Sequence, residues 1–195
     1  MAVFTQITHE QLAQWLVPLQ LGELIEFKGI ATGIENSNFF VSLFKDGVTT
    51  DYVLTIFEVL TPLQLPFYLE LMAHLAHKGI PVPLPYADAN GTLFRELAGK
   101  PASLVSKMAG KDTNTPTPAH CASVGRTLAQ MHLAVQDFAG TQPNLRGLNW
   151  WQEMAHKVDE FLPEHIATLL HDEIHAHSAF AQTDLYQSLP TGAGH

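Results

Sequence analysis

Apolar and polar residues alternate strand-fashion through much of the first half of the chain, and apolar residues recur at helical spacing in most of the second. Thr8-His9-Glu10-Gln11 has the form of a capping box and predicts a short helix to about Leu16. Residues 24–31, 38–44 and 51–57 read as strands, with Lys45-Asp46-Gly47 as the turn between the last two. Thr61-Pro62 predicts a helix start: a capping hydroxyl, a proline in the first turn, apolar periodicity, then Lys78 and a glycine stop at Gly79. Ile80-Pro81-Val82-Pro83-Leu84-Pro85 cannot be helical and predicts extended chain. Ala89-Asn90-Gly91 predicts the turn of a second hairpin between Tyr86 and Ser106.

The texture changes near Gly110. A polar, proline-bearing connector runs from Lys111 to Pro118, and helices are expected at 117–136, from about Leu148, and at 163–188. The expected organisation is therefore α+β: a β-rich part at 1–105, a connector at 106–116 and a helical part at 117–195. No internal repeat is evident.

Composition narrows the function. The chain has 195 residues, 46% of them hydrophobic, enough for one large domain or two small lobes. Nineteen acidic against ten basic residues give a net charge of −9, with no basic stripe, so no nucleic-acid partner is expected. The single cysteine, Cys121, excludes an intrachain disulfide. The N-terminus lacks the form of a signal peptide, and no apolar run of about 18 residues occurs. A cytoplasmic protein without a membrane partner is expected.

The richest chemistry lies between Lys28 and Glu58. Gly29, Gly33, Asn36 and Asn38 interrupt β-rich apolar runs. Gly and Asn tolerate positive φ, and such a turn can aim several backbone N–H groups at phosphate oxygens. Read by itself, the turn is more simply an ordinary β-turn.

In order and spacing, the segments Ala2-Val3-Phe4-Thr5, Gly29 to Val41, Tyr52 to Glu58, Leu65-Pro66-Phe67-Tyr68, Gly79 to Pro83, Pro118-Ala119-His120-Cys121, Met131-His132-Leu133-Ala134 and Arg146 to Trp151 resemble the aminoglycoside phosphotransferase and choline kinase superfamily. Within it they are most similar to the bacterial homoserine kinases. The resemblance implies a protein-kinase-like two-lobed fold, with an antiparallel N-lobe and an incomplete helical C-lobe. It implies transfer of the γ-phosphoryl of ATP, with Mg2+, to the side-chain hydroxyl of L-homoserine, a step toward threonine. The turn at Gly29, Gly33, Asn36 and Asn38 would cover the phosphates. Leu104 to Met108 would be the hinge, with Ser106 and Met108 offering backbone groups to adenine.

Two departures qualify that implication. Third-strand Lys is usual in kinase-like enzymes, but Thr55 stands at the corresponding position, and Glu70, which such a Lys would pair with, loses its evident role. His195 resembles the first residue of the catalytic loop, so the catalytic carboxylate and the metal ligands are expected beyond the chain, and the 195 residues alone are expected to be inactive. Other readings stay open: a related kinase acting on an aminoglycoside, choline or a sugar, or a non-catalytic nucleotide-binding fragment.

Four further features read more simply as structure. His132, on an apolar helix, is expected as a core histidine, and Cys121 as a buried small residue. His171 and His175 share a helix face at a spacing zinc sites use, but no third ligand is indicated, and a solvated polar face is expected. Trp150 and Trp151 point different ways on one helix and are expected to pack at the lobe junction.

Overall fold

In a computed structural model the structure describes residues 3–193. The chain divides into two units: one through Gly140 with Ala193, the other Thr141–Gly192.

In the first unit, α1 (His9–Leu16) starts at Thr8 with the predicted capping box, Thr8 and Gln11 each bonding the other's backbone N–H. Five strands follow the alternation: β1 (Glu23–Gly29), β2 (Asn36–Lys45), β3 (Val48–Phe57), β4 (Arg95–Leu97) and β5 (Lys100–Ser106). They form one antiparallel sheet in the order β1-β2-β3-β5-β4. The β2–β3 turn falls at Asp46-Gly47, both with positive φ, as two-residue hairpins with the right twist require.

Period-2 alternation gives the sheet two unlike faces. Phe39, Val41 and Leu43 of β2, with Tyr52, Leu54 and Ile56 of β3, pack under Leu12, Trp15 and Leu16 of α1, all of them buried. The opposite face carries Asn36, Asn38, Phe40, Val53, Thr55 and Phe57. Helix α2 (Leu65–His77) begins later than the Thr61-Pro62 signal. Thr61 instead shapes a turn, its backbone N–H and hydroxyl both donating to Gln64 Oε1 at 3.0 Å. Gly79, at φ 77°, ends the helix as expected.

The second hairpin turns elsewhere than predicted. Asn90-Gly91 belongs to a loop closed by Asp88, while β4 and β5 reverse at Ala98-Gly99, both with positive φ. The long helix expected at 163–188 is two: α5 (Glu164–Ala181) and α6 (Asp184–Gln187). Thr183 breaks it, accepting from Tyr186 N at 3.2 Å as an N-cap. α3 (Pro118–Ala134), capped by Thr117, buries none of its residues. Cys121 and His132 are consequently exposed, not in a core.

In the second unit α4 (Leu148–Val158) packs against α5 through Ala155 and Ile174, the buried pair of that hairpin. Trp151 meets the edge of His177 at 5.4 Å, and Trp150 lies under the Arg146 guanidinium at 4.9 Å.

A polar knot ties the N-terminal segment to the sheet. Ser37 is fully buried; its Oγ accepts from the N–H groups of Phe4 and Thr5 at 2.8 and 2.9 Å and donates to Glu58 at 2.5 Å. Thr5 Oγ1 also donates to Glu58, and Lys100 forms an ion pair with it. Burial pushes the Glu58 carboxyl up, but the hydrogen bonds from Lys100, Ser37 and Thr5 together outweigh burial and hold it below its ordinary value. A depressed carboxyl pKa stabilises the fold above the unfolded value and loses that contribution as pH falls through the folded one. Glu58→Gln should lower the unfolding free energy at pH 7 by about 1–3 kcal/mol. The gap from wild type should close below the ordinary value of 4.5. Urea unfolding of both proteins between pH 7 and pH 3 checks this, and a gap that widens on acidification contradicts it.

Candidate functional site

The sheet face turned away from α1 floors a cleft of ≈ 530 Å³, within the usual range for small-molecule sites. Asn36, Asn38 and Phe40 come from β2, and Val53, Thr55 and Phe57 from β3. They meet because the register pairs Asn36 with Phe57, Asn38 with Thr55, and Phe40 with Val53. Leu69 and Met72 of α2 form another wall, and Val105 to Met108 with Pro83 and Gly110 complete the lining. The result is a mostly apolar slot with a few fixed amides and hydroxyls.

Those polar groups hold one another. Thr55 Oγ1 donates to Asn38 Oδ1 at 2.7 Å, which orients the Asn38 amide. The backbone N–H of Glu58 donates to Asn36 Oδ1 at 3.3 Å, so the polar knot reaches the cleft through Asn36. Ser106 is tied to the extended 80–85 segment: its N–H donates to Leu84 O at 2.9 Å, and its Oγ accepts from Leu84 N at 2.8 Å. Lys107 lies over the Phe40 ring at 5.1 Å and pairs with Asp51 at 2.9 Å. The hydrogen bond from Lys107, then that from Ser42, holds the Asp51 carboxyl below its ordinary range.

Of the residues singled out from sequence, Asn36, Asn38, Thr55, Ser106 and Met108 line this cleft together. Gly29 and Gly33 are not on its lining. Gly33 has φ 147° in the loop 30–35 that leads into Asn36, a conformation that disfavours a side chain. Gly29 has no positive φ; it pairs with Phe39 in the sheet, and a Cβ there would meet Val3 Cγ2 at 2.8 Å. Its missing side chain makes room for the N-terminal segment. Ile30 N–H, next along the turn, already donates to Asn38 O at 2.8 Å. Glu70 is exposed on α2. His195 lies outside the described residues.

Sequence reasoning missed Phe40, Phe57 and Met72 as cleft residues, and placed Lys107 only within the 104–108 hinge. The first two were findable, since each sits two positions from a named residue on the same strand face. Lys107 is the cationic residue among those lining the cleft, where the expectation had been centred on Thr55. Among the described residues no carboxylate lines it, so these walls do not fit Mg2+, which is held through carboxylates and phosphates. They do fit a flat apolar ring with polar edges.

The comparisons with known proteins agree with this architecture. Residues 26–195 match the Phosphotransferase enzyme family, and the chain belongs to it. The fold is also that of two solved enzymes. An amicoumacin kinase in complex with AMP-PNP, Ca2+ and Ami aligns with TM-score 0.64 at 16% identity, covering 91% of this chain and 55% of that one. A spectinomycin phosphotransferase in complex with ADP and its antibiotic aligns with TM-score 0.59 at 15% identity, covering 79% and 47%. Among more similar sequences are homoserine kinases. That of Cupriavidus pinatubonensis is 50% identical over 195 residues and that of Paraburkholderia phymatum 51% over 196. Both matches cover all of this chain and 59% of the relative, so the chain spans well under two thirds of their length.

The Thr55–Asn38 bond makes a direct test of the cleft floor. Thr55→Val should lower stability by about 0.5–1.5 kcal/mol, the net worth of one hydrogen bond. The same change in an Asn38→Ala background should cost clearly less, because the partner is already gone. Chemical denaturation of the four proteins measures the coupling, and strict additivity would contradict the bond.

Proposed function

We propose that the cleft takes the adenine nucleotide of ATP, and that the protein at its relatives' length transfers the γ-phosphoryl group to the side-chain hydroxyl of L-homoserine, a cytoplasmic step toward threonine. One observation carries the first half. Five residues chosen from sequence for nucleotide contact, on β2, β3, the end of β5 and the segment after it, converge on a single apolar slot. Phe40, Val53, Phe57, Val105 and Met72 suit the faces of an adenine ring, and the Ser106–Met108 backbone suits its edge. The Asn36 and Asn38 amides, with the Gly33 loop beside them, suit the phosphate end. In this reading 1–105 is the nucleotide-binding lobe, 106–116 the connector and 117–195 the beginning of the helical lobe.

The homoserine half rests on relatives 47–51% identical across the whole chain and named homoserine kinases. The antibiotic kinases, at 15–16% identity, speak to the fold alone. Phosphoryl transfer needs metal ions to neutralise the charge on the phosphates and a carboxylate to accept the hydroxyl proton. Among the described residues no carboxylate lines the cleft, so the metal-holding and proton-accepting carboxylates are assigned to the part of the relatives' length outside the matched share, with His195 as the first residue of the loop concerned. The 195 residues by themselves are then a nucleotide binder without turnover.

Two measurements test this. Titration of the 195-residue chain with a fluorescent ADP should saturate at one equivalent, and Val105→Trp, which fills the slot, should abolish it while circular dichroism stays unchanged. A protein expressed from the full reading frame should release ADP with L-homoserine and not with choline or kanamycin. Absence of saturable binding overturns the cleft assignment; ADP release with choline or kanamycin instead overturns the acceptor.

A further inference from the structure

Within the unit of α4 and α5, three side chains with metal-ligating atoms face one another. His156 comes from the last turn of α4, Asp159 from the short 3-10 turn that follows, and His171 from α5. One ligand atom from each lies within 4.8 Å of the other two. His171 Nε2 is 2.8 and 3.0 Å from the two Asp159 oxygens, and His156 Nδ1 is 3.9 Å from Asp159 Oδ2. The two imidazoles are 5.6 Å apart between centroids.

We propose that His156, Asp159 and His171 bind a divalent transition-metal ion, Zn2+ in the first instance, that clips α5 to the end of α4. In a tetrahedral zinc site with bonds of about 2.0–2.1 Å, neighbouring ligand atoms stand about 3.3 Å apart. The separations from Asp159 bracket that edge, so small side-chain rotations bring three donors onto one ion. Two imidazoles and a carboxylate form a borderline-soft donor set that suits zinc, cobalt or nickel better than Mg2+ or Ca2+. With three protein ligands, a remaining position faces solvent, because His156 is exposed and Asp159 and His171 are half-buried. His171 and His175, whose spacing zinc sites use but which were expected as a solvated polar face, are not the pair that converges. His175 is exposed one turn further along α5, and the third ligand comes from the turn after α4.

The alternative is a plain hydrogen bond between His171 and Asp159, and the experiment separates the two. The 195-residue chain is titrated with Co2+ as a spectroscopic stand-in and with Zn2+ in a thermal-shift assay, at pH 7.5 without chelating buffer. The expected result is one saturable equivalent, a visible Co2+ ligand-field band and a Zn2+-dependent rise in melting temperature. His171→Gln and Asp159→Asn should weaken binding by at least about tenfold, the loss seen even when a ligand's supporting partner is removed. His156→Gln, at an exposed site on α4, should do the same. The double variant His175→Gln/His177→Gln should bind like wild type. Absence of saturable binding overturns the proposal, as does wild-type affinity in any of the three single variants or loss of binding in the double variant. Nucleotide binding plays no part in either readout, so the outcome is independent of the function proposed for the cleft.

Discussion

Along β2 and β3 successive side chains point to opposite faces, and the two faces carry different chemistry. Phe39 and Val41 pair with Leu54 and Tyr52, and together with Leu43 and Ile56 they lie under α1 and leave water almost completely. Asn36, Asn38 and Phe40 meet Phe57, Thr55 and Val53 on the other side and floor the cleft. A slip of one residue in this pairing would exchange the two sets, burying amides under α1 and turning the core outward. The tight Asp46-Gly47 turn and the buried aliphatic face both oppose that slip. The register of a single hairpin thus protects the core and composes the site.

The ends of that hairpin are held by polar contacts. At the open end Ser37, fully buried between two asparagines of the cleft, gathers Phe4, Thr5 and Glu58, and Lys100 closes the group. Asn36 takes its own bond from the Glu58 backbone. Gly29 contributes by absence, leaving space for Val3 beside β1. Segments that resemble a family in sequence, Val3 to Thr5, Gly29 to Val41 and Tyr52 to Glu58, are therefore in physical contact. Their joint task is to fix where the cleft amides stand.

Much of this was legible because it is local. Alternation gave the first three strands within a few residues, and capping chemistry gave α1 and α3 at Thr8 and Thr117. What was not legible depended on residues distant in sequence or on rarer backbone choices. The β4–β5 turn uses Ala98 at φ 52°, a conformation alanine seldom adopts, so Asn90-Gly91 looked the better turn. Thr183 reads as one more helical residue until its hydroxyl is seen capping α6. Cys121 and His132 were expected inside because their helix is amphipathic, but periodicity says which face is apolar and not whether anything covers it. Asp159 joins His171 only through the fold of α4 onto α5, and Lys107 joins the cleft only through the position of β5 beside β3.

The claim on which the functional reading turns is that the outer face of the β2–β3 hairpin binds nucleotide. Amide hydrogen exchange on the 195-residue chain with and without ADP reads that face directly. Slowed exchange should concentrate at 33–40, 53–58 and 105–108, with the α1 core face and the α4–α5 hairpin unchanged. An ADP-dependent footprint confined to other segments, or none at saturating ADP, would contradict it.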